Sequence, residues 1–262
     1  MDARGDLRPL MEHDRAALLD LLRELPPADW RLPTAAAPWL VRDVVAHVLA
    51  DDLSRLARGR DGHHGNGPRP GEPLARFLDR FNAQWVEAAQ RISPTLLVDL
   101  LAAVSPQVLA FWRAQDLDAL GEPVSWAGPD PAPVRLDCAR DTTEYWVHHQ
   151  QIREATGRPA DTGPATVRAV LDTFLHAVPF TLRDQPGTAL RIETELGTWS
   201  WERRGAGWAR VASTSDGAVL RIDSATLWRL CVRMVEPDQA RARSVVDGAA
   251  ADAVLRIVSI IR

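Results

Sequence analysis

Glu144 and His148 stand four residues apart in a stretch, residues 137–157, that reads as one helix. At 3.6 residues per turn this spacing stacks a carboxylate and an imidazole on a single face. Such a pair can hold a divalent metal from one helix if a third ligand arrives from another. The nearest candidate is His47, inside the apolar helix Trp39–Gly59. Asp51, one turn beyond His47, is a possible fourth ligand, and a solvated aspartate beside Asp52 is the blander reading. His149 adjoins His148 but lies about 100° round the helix; it pairs poorly with Glu144 and reads as a supporting or surface residue. His63 and His64 sit in a Gly-rich loop and read as solvent-exposed.

Each half of this set is weak alone. A single histidine on a helix is more often a core or surface residue, and i,i+4 polar pairs decorate many solvated faces. What shifts the balance is a polar stripe, Asp137, Arg140, Asp141, Glu144, His148 and Gln151, on one helix among plainly apolar ones. If the stripe faces inward, a buried carboxylate and imidazole need a partner, and a cation supplies one. If it faces outward, there is no site. The helical period is the same in both cases.

The elements that must position these residues follow from periodicity. Residues 9–25 form an amphipathic helix stopped by Pro26-Pro27. After Trp39–Gly59 comes a Gly/Pro/His-rich loop, Arg58–Pro73, then a helix from Leu74 to about Ile92 carrying Leu78, Phe81, Trp85 and Ala89 on one side. Residues 94–103 and 106–120 read as two helical pieces, each opened by a Ser-Pro pair. A loop at 121–135 leads to the helix 137–157, closed by Gly157 and Pro159. This is the pattern of an α-helical bundle.

Past Arg158 the texture changes. Pro164–Leu182 is helical, then Leu190, Ile192, Thr194 and Leu196 alternate with polar residues as in a half-buried strand. A second strand places Trp199 and Trp201 on one face. Trp208–Ala212 and Ala218–Asp223 are further strands. Ser224 is the expected N-cap of a helix Ala225–Met234. A strand near Ala242–Val246, an Asp247-Gly248 turn and a final helix Ala249–Ile261 complete a small α+β domain. The expected domains are 1–160 and 161–262.

Composition narrows the function classes. A chain of 262 residues with net charge −4 shows no basic excess for nucleic acid. Every cationic residue in the Lys+Arg count is arginine. Cys138 and Cys231 form no disulfide framework or CxxC motif, which fits a reducing cytoplasm. The charged start (Asp2, Arg4, Asp6, Arg8) and the absence of an apolar run of spanning length argue against a signal peptide and a membrane anchor. No GxxxxGK[ST], strand-to-helix GxGxxG or GxSxG motif occurs.

Two stretches carry a family resemblance. Pro38-Trp39-Leu40-Val41-Arg42-Asp43-Val44-Val45-Ala46-His47-Val48 resembles the early signature of the DinB-like mycothiol-dependent maleylpyruvate isomerase family. Glu144-Tyr145-Trp146-Val147-His148-His149-Gln150-Gln151-Ile152, ending in Ala155-Thr156-Gly157, resembles its second signature, E-x-x-x-H-x-x-D-[LI] followed by Ala-x-Gly. The resemblance implies a DinB-like four-helix bundle followed by a small sterol-carrier-like α+β domain. It implies that His47, Glu144 and His148 hold a divalent metal, zinc by preference. It implies that mycothiol is the thiol co-substrate. It also implies a catalytic arginine after a short helix of the second domain, which places Arg233, in Leu227-Trp228-Arg229-Leu230-Cys231-Val232-Arg233, in that role, with Arg229 the weaker choice. The chain departs from the pattern at Gln151, where the family has Asp; the amide keeps hydrogen-bonding capacity and loses the charge. That bears on the substrate more than on the metal.

The expected function is therefore a metal-dependent enzyme that activates a low-molecular-weight thiol for attack on an electrophilic small molecule, of S-transferase type. The alternatives are maleylpyruvate cis–trans isomerisation, and a non-catalytic protein whose second domain encloses an apolar ligand between Trp199, Trp201 and Trp208. The last three are more often ordinary core. Expected partners are small molecules, with no nucleic acid and no membrane, the chain being a monomer or homodimer.

Overall fold

The computed structural model describes residues 5–257. The chain forms two compact units: Met1–Leu117 with Asp141–Asp161, and Asp118–Arg140 with Thr162–Arg262. The segment between Asp118 and Arg140, read from sequence as part of the helical half, groups with the second unit.

The first unit is built on helices. α1 spans Arg8–Arg23 and is started by Asp6, whose carboxylate accepts from the Arg8 N–H at 2.9 Å. α2 spans Val41–Arg55 and runs on into a π-helical turn, Leu56–Arg60. Its first turn is closed by Asp43, which accepts from the Leu40 N–H at 3.0 Å. α3 spans Leu74–Ala88. α4 spans Pro94–Arg113, with Ser93 as N-cap and Pro94 at the first position. α5 spans Val134–Ala155 and belongs to this unit from Asp141 on; it follows a short two-stranded ribbon of the second unit, β1 (Leu120–Pro123) and β2 (Pro131–Pro133).

α4 corrects the expectation of two pieces. Pro106 lies inside one continuous helix. The Ser-Pro pair does not start a helix there: the Ser105 hydroxyl accepts from the buried Arg15 guanidinium at 2.7 Å. Packing of Leu97, Leu101, Val108 and Trp112 into the core keeps the helix continuous through the missing N–H. Joined in this way, α4 is long and apolar enough to cross a membrane by length and composition, which no segment was expected to be.

The core of this unit gathers Met11, Leu18 and Leu22 of α1, Val41, Val44, Val45, Val48 and Leu49 of α2, and Tyr145, Trp146, Val147 and Ile152 of α5, all buried. At about 1.5–3 kcal/mol per fully buried large apolar side chain, this burial holds the helices together. α3 is the exception, since Leu74 and Leu78 are exposed although they lie on its apolar stripe.

The second unit carries a five-stranded sheet. α6 (Pro164–Phe174) and the short α7 (Val178–Thr181) precede β3 (Ala189–Thr194), β4 (Gly197–Arg204), β5 (Gly207–Val211) and β6 (Ala218–Arg221). Then come α8 (Ser224–Cys231), α9 (Pro237–Ala242), β7 (Val245–Asp247) and α10 (Ala249–Val254). The strand order is β5-β4-β3-β6-β7, with β3 and β6 parallel and the other neighbours antiparallel. Leu190 pairs with Trp201 and Ile192 with Trp199, so the alternation seen in sequence becomes one apolar face of directly opposed pairs. Gly197, at φ 140°, turns β3 into β4 where a Cβ would strike the Arg168 guanidinium.

Two local expectations fail for reasons of capping. The N-cap of α8 is Asp223, whose carboxylate accepts from the Thr226 N–H at 2.8 Å, whereas Ser224 bonds Glu195. The strand expected near Ala242–Val246 is shortened to Val245–Asp247. Pro237 at a first helical position, with Gln239 accepting from the Glu236 N–H, starts α9 ahead of it. The final helix is described over Ala249–Val254, and the expected continuation through 258–261 lies outside the described residues.

Candidate metal centre

α2 and α5 bring their polar residues together inside the first unit. His47, Asp51 and Arg55 lie on α2 at successive turns, and Asp141, Glu144, His148 and Gln151 lie on α5. The stripe faces inward along most of its length, since Asp141, His148 and Gln151 are buried. Glu144 Oε1 lies 3.1 Å from His148 Nε2 and 3.5 Å from His47 Nε2, and the two imidazoles meet edge to face with centroids 4.8 Å apart. His47 and His148 are 4% and 0% exposed, while the Glu144 side chain keeps 20% of its surface.

One potential ligand atom from each of His47, Glu144 and His148 falls within 4.8 Å of the others. Ligands about 2.0–2.1 Å from a tetrahedral zinc stand about 3.3 Å from one another, so the two separations to Glu144 fit one shared ion. Asp51 Oδ2, 3.4 Å from His47 Nε2, adds a second carboxylate beside the same point.

Electrostatics agree with a cation-seeking cluster. Burial works against charge on Glu144, yet the hydrogen bonds from His148 and His47 prevail and hold its carboxyl down at about 2. Burial also works against the His47 cation, but the Asp51 and Glu144 carboxylates outweigh it and raise its pKa. Asp51 is pushed up to about 6, chiefly by burial. Asp51 and Glu144 thus favour a positive charge beside His47, and a divalent cation can supply that charge in place of the His47 proton.

The surroundings fix the ligands. His148 Nδ1 is 2.8 Å from Gln151 Oε1. The half-buried Trp39 ring sits 4.8 Å from the His47 ring and covers one side of it. Trp85 donates its indole N–H to the Ala46 carbonyl at 2.7 Å. Behind the centre, Asp52 accepts from the Tyr145 hydroxyl at 2.7 Å and pairs with Arg15.

His149 is neither at the centre nor at the surface. It is fully buried on another side of α5, with Nδ1 2.8 Å from Asp14 Oδ1 and Nε2 accepting from Arg153 at 2.9 Å. His63 and His64 are exposed, and both cysteines are buried thiols outside any disulfide. Trp39 and the Arg55–Asp141 pair were missed in the sequence. Arg55 was findable by running the i,i+4 series from His47 through Asp51 one step further. Trp39 stands outside α2, where no helical period reaches it.

In the second unit, Arg233 follows α8 in the left-handed region, at φ 58°. Met234 N–H bonds Arg229 O and Arg233 N–H bonds Leu230 O, the two bonds of a Schellman cap that glycine usually makes. Its Nη2 donates to Ile257 O at 2.6 Å, and its Nη1 is buried with no partner among the described residues. Arg229 lies over the Trp228 ring instead, 4.4 Å from its centroid.

Known proteins are similar at three levels. Two Mycobacterium tuberculosis proteins, from strains CDC 1551 and H37Rv and both named only as uncharacterized, are 26% identical over 237 residues, 84% of this chain and 86% of theirs. A crystal structure of a histidine-to-alanine mutant of the mycothiol-dependent maleylpyruvate isomerase superposes with a TM-score of 0.58 at 12% identity, covering 92% of this chain and 94% of that one. A second crystal structure of that isomerase gives 0.56 at 12% identity over 85% and 86%. The fold is thus a DinB-like helical bundle with an α+β domain after it. The profile of the mycothiol maleylpyruvate isomerase N-terminal domain matches residues 11–153, across both α2 and α5, and the chain belongs to that family.

Proposed function

We propose that this protein is a metal-dependent enzyme that uses mycothiol, or a closely similar small thiol, to attack an electrophilic small molecule, and that the reaction is S-transfer. The observation that carries this reading is the convergence of His47, Glu144 and His148 from two helices on one partly open point. Two imidazoles and one carboxylate leave coordination positions free, as catalytic sites require. A zinc ion bound there supplies the charge that keeps a sulfur ligand deprotonated at neutral pH.

The chain's own residues have separable roles. His47 and His148 offer Nε2, and Glu144 contributes the negative charge. Asp51, with 31% of its side chain exposed, stands where a proton leaving the thiol can be taken up, or serves as a further donor. Trp39 covers one flank of the His47 ring. Arg233 is proposed to grip a substrate carboxylate or developing negative charge. Its left-handed backbone, cheaper for glycine, and its unpartnered Nη1 support a side chain kept for binding. Cys138 and Cys231 are buried and take no part. The setting is a reducing cytoplasm, where a thiol co-substrate persists.

Maleylpyruvate isomerisation is the neighbouring reading, favoured by the likeness to crystal structures of a mycothiol-dependent maleylpyruvate isomerase. It shares thiol addition and differs in ending with expulsion of the thiol. The test incubates zinc-loaded protein and mycothiol with maleylpyruvate and, separately, with an aryl halide electrophile. A mycothiol conjugate supports S-transfer. Fumarylpyruvate without conjugate replaces it with isomerisation. Neither product, with no shift in melting temperature on adding mycothiol, removes the thiol reading.

A further inference from the structure

Gln151 follows His148 by three residues on α5, and the two side chains meet inside the first unit, 2% and 0% exposed. The contact is His148 Nδ1 to Gln151 Oε1 at 2.8 Å. A carbonyl oxygen only accepts, so the ring must carry its proton on Nδ1. In a neutral imidazole the lone pair then sits on Nε2, which faces Glu144 Oε1 at 3.1 Å. Lone pair and carboxylate oppose one another unless a positive charge lies between them, either the hydrogen through which His148 bonds Glu144 or a metal ion in its place. His47 Nε2, 3.5 Å from the same oxygen, adds a third donor to that point.

From this we infer that Gln151 is the positioning residue of the metal centre: its side-chain carbonyl holds His148 in the tautomer that turns Nε2 to the ion. The inference rests on the metal reading proposed above. Because the acceptor is an amide, it orients the ring without adding negative charge to a pocket that already holds Glu144 and Asp51. The opposite amide orientation would set an N–H against Nδ1, move the ring proton to Nε2 and close that nitrogen to any metal. The two orientations predict opposite behaviour for an acceptor that has no N–H.

The test measures zinc affinity of the full chain by competition with a chromophoric chelator, for wild type, Gln151→Leu and Gln151→Glu. Loss of a partner that orients a ligand histidine lowers metal affinity about 10–100-fold. Gln151→Leu is expected to fall in that range, and Gln151→Glu, which can only accept when ionised, to bind zinc at or above the wild-type value. Gln151→Leu binding zinc as wild type does would overturn the inference and leave the centre standing. Gln151→Glu losing as much affinity as Gln151→Leu would show that the amide N–H faces the ring, which also overturns it. A wild type that binds no zinc removes centre and inference together. If Gln151→Leu does not fold, as far-UV circular dichroism reports, the nearly isosteric Gln151→Glu decides alone.

Discussion

Arg55 and Asp141 form a two-pronged ion pair across α2 and α5, with Nε to Oδ2 and Nη2 to Oδ1 both at 2.7 Å, one turn away from Asp51 on α2 and from Glu144 on α5. The Trp112 indole N–H also donates to Asp141 at 3.2 Å. A fork on a carboxylate tolerates little sliding. It therefore fixes the register in which His47 arrives opposite His148.

Removing one partner of this pair leaves a buried charge unmatched. Arg55→Ala is expected to destabilise the protein by about 3–5 kcal/mol, read as a lower urea midpoint, and to weaken zinc binding as the register loosens. A change under about 1 kcal/mol would mean that the pair is solvated like an ordinary surface bridge.

The two adjacent histidines should separate cleanly. His148→Ala is expected to lose metal to background while the apo protein stays folded. His149→Ala is expected to keep full metal content and lose about 1–3 kcal/mol of stability, because Asp14 and Arg153 are left without their imidazole. Metal content and denaturation of both variants check this, and a His149→Ala protein lacking metal would contradict the assignment.

Much of this was legible beforehand because it rests on local periodicity. The i,i+4 spacing of Glu144 and His148 fixed their shared face, and the apolar period of α2 put His47 within a buried helix. The direction of the polar stripe was not legible, because an inward and an outward stripe have the same period. It is decided by Arg55, Asp52 and Asp14 arriving from other helices. Pro106 misled for a related reason: local propensity breaks a helix there, and core packing of α4 overrides it. His149 was misplaced because its partner Asp14 is 135 residues away.

Cys231 gives a pH dependence with a definite sign. Burial pushes its thiol up from an ordinary 9.0 to about 12. The folded state therefore binds the proton more tightly than the unfolded state, and its stability contribution is intact below pH 9 and is lost between about 9 and 12. Stability should decline across that window less steeply in Cys231→Ala than in wild type. At pH 8 a thiol reagent should react with neither cysteine until denaturant is added; fast reaction in the native state would contradict their burial.

Arg233→Gly distinguishes a cap from a binding residue. Glycine relieves about 1–2 kcal/mol of left-handed strain while the bond to Ile257 O, about 1.5–3 kcal/mol for a charged donor, is lost. The net change in stability should stay within about 2 kcal/mol, but turnover should fall about 10²–10³-fold. Unchanged turnover would leave Arg233 a capping residue only.

The central claim is that His47, Glu144 and His148 hold one divalent ion between them. The measurement closest to it is the metal content of protein purified without chelator, taken together with the melting temperature before and after zinc is added to stripped protein. The account predicts a single divalent ion per chain and a melting temperature that rises with zinc in wild type but not in Glu144→Ala. Protein that retains no metal, and whose melting temperature is unmoved by zinc, would contradict it.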